Sequence, residues 1–326
     1  MDIDMDVDVV VIGAGVIGLT SALRLQHGGL RVAVVAADPP LASTSAVAAA
    51  VWYPSGMAED ARVAAWAAAT FAEFTRQAAD GVPGVSMRPT RMLAHRRAGA
   101  EAPWWAAGVP DLRRVGSAEL APPYRDGWEF TAPAVEMPLY LPWLLDRFHE
   151  GGGVLVLQRL GSLGAASGRA PAVVNASGLG ARELCGDPAV HPVRGQLVLV
   201  RNPGLRRSLR VQDDPAGYVY VHPRSTDVVL GGTFDADRWD ATADPEVSRA
   251  ILRRCAALAP ELRDAQVIDH RSGLRPARRG GIRLETDLCS LPGTRLVHNY
   301  GHGGAGVTLC WGCADTTAAL VGTAVS

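Results

Sequence analysis

A chain of 326 residues with 32 Lys and Arg against 33 Asp and Glu carries a formal net charge of -1, which excludes the strong imbalance of a nucleic-acid or anionic-membrane binder and leaves a small or neutral partner. No apolar run approaches the roughly 20 residues that span a bilayer, and the opening MDIDMDVD is acidic; no membrane segment is expected, and the cytoplasm is the expected compartment. The cysteines Cys185, Cys255, Cys289, Cys310 and Cys313 are too scattered for a disulfide framework. Cys310 and Cys313 form a lone C-x-x-C inside an expected helix, which reads as packing and not as a metal site.

Residues 8–20, DVVVIGAGVIGLT, run an apolar strand into Gly13, Gly15 and Gly18 and on into a helix. The first glycine makes the tight turn, the second lets backbone approach a pyrophosphate, and the third lets helix pack on strand. Leu30 to Ala36 reads as the returning strand, and Asp38 at its end places a carboxylate for the ribose hydroxyls of an adenosine. This order of elements predicts dinucleotide binding. Residues 39–54 read as a loop of small and hydroxyl side chains, in which Thr44 and Ser45 either bond phosphate or cap a turn.

Asp60 to Ala79 reads as a helix whose apolar side carries Val63, Trp66, Phe71 and Phe74. From Ser86 to Pro133 short strands and breaks are expected, with APWW (102–105) exposed. Leu139 to Glu150 is a helix stopped by Gly151, Gly152 and Gly153. Residues 154–160 and 172–178 read as strands that rejoin the first sheet, the second ending in the turn Ser177–Gly178. Residues 193–200, 217–223 and 227–234 then suggest an antiparallel meander, 245–259 a helix, and 295–301 a strand returning to the first sheet.

Tyr300 to Thr308, YGHGGAGVT, repeats the glycine spacing at Gly301, Gly303 and Gly306, but only 20 residues follow Gly306, too few for a second dinucleotide unit. The loop and the helix Val307 to Leu320 are therefore expected to serve the far end of the first cofactor through a helix N-terminus. The fold expected is α/β: a Rossmann-like domain with a parallel sheet and a second α+β domain with a mainly antiparallel sheet. The boundaries expected are 1–80, 138–190 and 290–326 for the first, and 81–137 and 191–289 for the second.

VVVIGAGVIGL, Asp38, TSAVAAAVWYP, VVNASG, VRGQLVLV, YVYVHP, VVLGG, GLRPARRGGIRLE and HNYGHGGAGVTLCWG occur in the order found in the D-amino-acid oxidases, and nearly the whole chain resembles that family, which is related to glycine oxidase and D-aspartate oxidase. The resemblance implies non-covalent FAD and a homodimer. It implies FAD contacts from Gly13, Ala14, Gly15, Val16, Ile17, Gly18, Asp38, Thr44 and Ser45, from Ala50, Val51, Trp52 and Leu160, and from Ser177, Gly178, Gly303, Gly304, Gly306, Val307 and Thr308. It assigns the substrate carboxylate to Arg283 of GGIRLE and to the Tyr220 hydroxyl, the amine to the Gly304 carbonyl, and the side-chain pocket to Val51 and Tyr53. Arginine suits such a task because its guanidinium meets a carboxylate with two parallel charge-assisted bonds.

The chain departs from the mammalian members in two places. Ala216 stands where they carry a lid tyrosine, with Tyr218 out of step by two, and GLRPARRGGIRLE is one residue longer, so Arg278 and Arg279 receive no role. A peroxisomal tripeptide is absent from the ending TAVS, which agrees with a bacterial source. The implied reaction is oxidative deamination of a D-amino acid by hydride transfer to flavin N5, giving a 2-oxo acid, ammonia and, with oxygen, hydrogen peroxide. Neutral or apolar D-amino acids are expected to be preferred, although His222 and Arg224 near Tyr220 would favour D-aspartate if they faced the pocket. Glycine, sarcosine or D-aspartate oxidation is the alternative within the family; a NAD-dependent dehydrogenase or a non-catalytic flavoprotein is the alternative outside it.

Overall fold

The computed structural model, which describes residues 6–54, 57, 59–97 and 101–322, is built on two sheets. The strands in chain order are β1 (Val9–Ile12), β2 (Val32–Ala36), β3 (Val85–Ala94), β4 (Arg113–Arg114), β5 (Asp126–Val135), β6 (Val154–Leu157), β7 (Ala172–Asn175) and β8 (Val190–Arg201). There follow β9 (Ser208–Val211), β10 (Val219–Pro223), β11 (Asp227–Gly231), β12 (Asp235–Ala236), β13 (Val267–Arg278), β14 (Arg283–Asp287) and β15 (Arg295–Tyr300). The helices are α1 (Val16–His27), α2 (Thr44–Val47), α3 (Ala61–Ala79), α4 (Met137–Glu150), α5 (Gly164–Ser167), α6 (Ala181–Leu184), α7 (Pro245–Leu258) and α8 (Gly306–Gly322).

The first sheet has the order β14-β15-β7-β1-β2-β6, parallel throughout except for β14 at its edge. Its central strands VVVI and VAVVA are fully buried, as strands covered by helices on both faces must be. One face packs on α1, α3, α4 and α8 through Leu19, Phe74, Leu144 and Leu309; the other packs Val10, Ile12 and Val173 on Leu163 and Ala166. Helix α3 starts where the Asp60 carboxylate accepts from the Arg62 and Val63 amides at 2.8 and 3.3 Å, satisfying donors that the helix cannot. It crosses α8 closely because Gly312 has no side chain: a Cβ there would lie 2.4 Å from Trp66 Cα.

The second sheet runs β12-β8-β11-β10-β9-β3-β5-β4, with β13 on the other side of β8; the β3–β9 pair is parallel and the rest antiparallel. Alternation gives it two unlike faces. Val198, Val200, Val219, Val221, Val228 and Leu230 bury against Ile251 and Cys255 of α7. Leu197, Leu199, Tyr220 and Val229 point the other way, toward Val47 and Ala49. Strands 154–160, 172–178 and 295–301 do rejoin the first sheet, as expected from the sequence.

Four expectations need correction. Residues 39–54 are not a plain loop, for they hold a turn at Pro40–Ala42 and then α2. The segment 86–133 contains two ten-residue strands, β3 and β5, paired over their whole length; Pro89 and Pro133, which look like breaks, sit inside them. APWW is not exposed at its end, since Trp105 is buried against Trp52, Tyr53 and Phe130. Strands β9 and β13 were not expected, because SLRV is short and β13 carries Asp269, His270, Arg271, Arg275 and Arg278.

Candidate active site

A cavity of about 800 Å³ opens between the two sheets. Its first half is backbone. The turn after β1 contributes Gly13, Ala14, Gly15, Val16 and Ile17, β2 runs into Asp38, and β7 runs into Ser177 and Gly178. Gly13 has φ +111° and a Cβ on it would lie 2.5 Å from the Ala176 carbonyl oxygen, so only glycine makes this turn. The Ser177–Gly178 turn is fixed from beneath by Asn175, whose Oδ1 accepts from the Ser177 amide at 3.2 Å and hydroxyl at 2.6 Å. Gly303, Gly304, Gly306, Val307 and Thr308 bring the N-terminus of α8 to the same wall, and with α1 this makes two helix N-termini facing one cavity, a donor set suited to anionic groups. Thr44, Ser45, Ala50, Val51 and Leu160 also line it.

The hydroxyls in this half are committed within the protein: besides Ser177, Thr44 Oγ1 donates to the Leu274 carbonyl at 3.0 Å. Ser45 Oγ accepts from the Val16 amide at 3.0 Å, and Thr308 Oγ1 donates to the Tyr53 carbonyl at 3.0 Å while accepting from the Tyr53 amide at 3.2 Å. The glycine turn, the carboxylate at the end of β2 and the α8 terminus together fit FAD: a turn for the pyrophosphate, an acceptor for the ribose, and partial positive charge for a reduced ring.

The second half is side chain. Register places Gly231, Tyr220 and Arg210 directly across from one another on β11, β10 and β9, and Tyr220, His222, Arg210 and Tyr218 all line the cavity. From β13, Arg275 reaches the same wall and donates from Nη1 to the Thr233 carbonyl at 3.1 Å. Its guanidinium also lies 5.4 Å from the Phe234 ring, which stacks on Tyr218. Arg210, 8% exposed, lies 3.5 Å from the centroid of the Tyr53 ring, and its Nε has no hydrogen-bond partner. Among the described residues neither Arg275 nor Arg210 forms an ion pair.

Burial decides the ionisation of this wall. It pushes the Tyr220 hydroxyl above its ordinary pKa, outweighing the opposing charge of Arg275, so the phenol stays a donor. It pushes His222 down to about 3, helped by the charge of Arg210, so the imidazole stacked 4.8 Å from Tyr220 is neutral at any ordinary pH.

Arg283 is not on this wall. It sits on β14 at the edge of the other sheet, donating to Glu285 at 2.8 Å, to the Tyr300 hydroxyl at 3.0 Å and to Asp287 at 3.4 Å. Burial alone would lower its pKa, but these partners raise it; the cation is already neutralised. Arg278 donates to Asp187 and Arg279 to Asp237, and Arg224 is paired with Asp227 at 2.6 Å, so the notion of a shared cationic face with His222 fails for Arg224. Trp52 also departs from expectation. Along residues 51–53 alternate side chains point opposite ways, so Val51 and Tyr53 line the cavity while Trp52 turns inward and donates to the Ala67 carbonyl at 3.0 Å. Gly18 does not line it either; its missing Cβ, which would lie 1.8 Å from the Gly13 oxygen, lets α1 close on the turn.

Sequence reasoning missed Arg275, Arg210, Tyr218 and Phe234. The signal for Arg275 was present in GLRP, three residues before Arg278, and needed recognition of the polar strand β13. That for Arg210 was its two-residue alternation with Ser208 on a strand too short to attract notice.

Comparison with known proteins points to a family of flavin enzymes. A family model described as FAD dependent oxidoreductase matches residues 8–320. A D-amino-acid oxidase of Rubrobacter xylanophilus is 51% identical over 97% of this chain and 96% of its own, and one of Streptomyces coelicolor is 44% identical over 98% of each. A human D-aspartate oxidase is 36% identical over 96% of this chain and 94% of its own. In fold, the chain resembles the crystal structure of glycine oxidase from Geobacillus kaustophilus with a TM-score of 0.84 at 22% identity, covering 98% of this chain and 95% of that one. No helix among the described residues is long and apolar enough to cross a membrane.

Proposed function

The chain belongs to the family of FAD-dependent oxidoreductases that includes the D-amino-acid oxidases, and we propose that it oxidises D-amino acids, with Arg275 and Tyr220 holding the substrate carboxylate. The observation that carries this reading is a guanidinium on the cavity wall with no acidic partner, on the same sheet face as a protonated phenol. A guanidinium fork and a phenol donor make a three-point grip on a carboxylate. Gly304 lines the cavity with its Cβ position 3.3 Å from Arg275 Cδ, and its carbonyl is the acceptor proposed for the substrate amine. Carboxylate, amine and α-hydrogen are then each assigned a direction, and one enantiomer alone sends its side chain toward Val51 and Tyr53.

When bound, FAD supplies a two-electron acceptor that molecular oxygen reoxidises with release of hydrogen peroxide. Gly13, Gly15, Asp38, Ser177 and the N-terminus of α8 would hold it. The protein's own part is to orient the substrate and exclude water; among the described residues the wall also carries two imidazoles, His222 and His302, both kept neutral at pH 7 by burial. The imine product hydrolyses in water to a 2-oxo acid and ammonia. The amine must be neutral for hydride to leave, so turnover is expected to rise from about pH 7 upward.

Val51, Tyr53 and Leu197 support neutral, apolar D-amino acids as preferred substrates. Arg210 supports a second reading: its unpaired guanidinium on the row of Tyr220 suits the second carboxylate of D-aspartate or D-glutamate. A peroxide assay comparing D-valine and D-methionine with D-aspartate separates the two. The parent reading is tested by adding D- and L-alanine to the anaerobic holoprotein. Bleaching of the flavin by the D-isomer alone is expected, whereas a demand for NAD, or a flavin that neither isomer bleaches, contradicts it. The resemblance also carries the expectation of a homodimer and the sequence that of the cytoplasm, which sedimentation of the purified protein and cell fractionation test.

A further inference from the structure

Arg275 and Tyr220 do not stand up from their sheet; they lie across it. A Cβ built on Gly195 of β8 would meet the Arg275 guanidinium carbon at 2.3 Å and its terminal nitrogens at 2.2 and 2.3 Å. A Cβ on Gly231 of β11 would meet Tyr220 Cζ at 1.8 Å and its hydroxyl oxygen at 2.2 Å. Neither glycine has a positive φ, so what each supplies is room and not backbone freedom.

The placement of the two gaps matters. β8 and β11 are neighbours, with β13 outside one and β10 outside the other. The empty positions therefore lie between the strands that carry the arginine and the tyrosine, and each side chain leans inward over a glycine. Arg275 is then fixed at its rim. Its Nη1 donates to the Thr233 carbonyl at 3.1 Å, and Thr233 Oγ1 in turn accepts from the Gln196 amide at 3.0 Å. On the reverse face the neighbours of Gly195 are tied down: Arg194 donates to Gln196 Oε1 at 2.8 Å, and Gln196 Nε2 donates to Ser248 Oγ at 2.7 Å. Strand β8 cannot recede to make space for a methyl group.

We propose that Gly195 and Gly231 are positioning residues, whose missing side chains form the seat that lets Arg275 and Tyr220 converge on one carboxylate. This rests on the reading of Arg275 as the carboxylate's partner. A methyl group on residue 195 lifts the guanidinium off the strand and away from the phenol. The glycine turn at Gly13, which belongs to the other sheet, is untouched.

The test uses holoprotein of the parent, Gly195→Ala, Arg275→Lys and the double variant, with benzoate as a carboxylate probe read by the flavin spectrum. Gly195→Ala is expected to weaken benzoate and raise KM for D-alanine by about tenfold or more, the scale of one lost charge-assisted hydrogen bond. Its FAD dissociation constant stays within about twofold, because the seat and the cofactor turn are separate sites. In the Arg275→Lys background, which lacks the planar group above residue 195, the same substitution is expected to weaken benzoate by less than about twofold. Unchanged benzoate affinity in Gly195→Ala, or an equal loss in both backgrounds, overturns the proposal. Should Gly195→Ala not fold, recovery of folding in the double variant supports the clash, and failure of both overturns it. Arg275→Lys binding benzoate as tightly as the parent sinks the underlying reading of Arg275, and the seat with it. Gly231→Ala, set against Tyr220→Ala in the same cycle, gives the second arm.

Discussion

The two sheets build their halves of one cavity in opposite ways. On the parallel sheet the wall is backbone just past the ends of strands: Gly13 to Ile17 after β1, Asp38 after β2, Ser177 after β7, Gly303 to Thr308 after β15. On the antiparallel sheet it is side chains from the middle of strands, Arg275, Tyr220 and Arg210, brought together by register. A site of the first kind is written in consecutive residues. A site of the second kind depends on which strands are neighbours and which face each residue takes.

The largest test of this contrast sets Arg275 against Arg283. Arg275→Met is expected to lower kcat/KM for D-alanine by about a thousandfold, the cost of losing a charged, bidentate partner in a closed site. Arg283→Met is expected to leave KM within about threefold and to lower Tm instead, since it strips Glu285 and Asp287 of a partner. Steady-state kinetics beside thermal melts decide it. On the backbone side, Gly18→Val is expected to weaken FAD by about a hundredfold or abolish its retention, because the Cβ position is already 1.8 Å from the Gly13 oxygen; fluorescence of released flavin measures it.

Tyr220→Phe removes one hydrogen bond and should raise KM about tenfold with the pH profile kept. Arg210→Leu should leave D-valine oxidation nearly intact while reducing D-aspartate oxidation about tenfold or more; equal loss on both would make Arg210 a scaffold residue under Tyr53. A separate effect concerns pH. Burial holds His222 at about 3 and His302 at about 4, against 6.5 for the free side chain. The unfolded chain thus binds more protons below pH 6.5, and stability falls as pH drops toward those folded values, by about 1.4 kcal/mol per pH unit for each histidine. Urea midpoints at pH 7 and pH 5 should show this, with a shallower slope in His302→Asn. Neither histidine titrates above pH 7, so an alkaline rise in turnover persists in His222→Asn.

What was legible in the chain follows the same division. Gly13, Asp38, Ser177 and the α8 loop could be placed from strand, turn and helix order alone, because local geometry suffices there. Tyr220 was found through its motif, and its partner was not: Arg283 sits eight residues past Arg275 in the same basic stretch, and only pairing shows that β13 joins β8 while β14 joins β15. Trp52 was misplaced for a related reason, since the side to which residues 51–53 turn is set by packing against α3. Arg210 was passed over because a four-residue strand has no period strong enough to declare itself.

The most direct test is a crystal structure of the holoprotein with benzoate bound. The account predicts the carboxylate within hydrogen-bonding distance of both the Arg275 guanidinium and the Tyr220 hydroxyl, above Gly195. A carboxylate held by Arg283, or seated on the wall without Arg275, would contradict it.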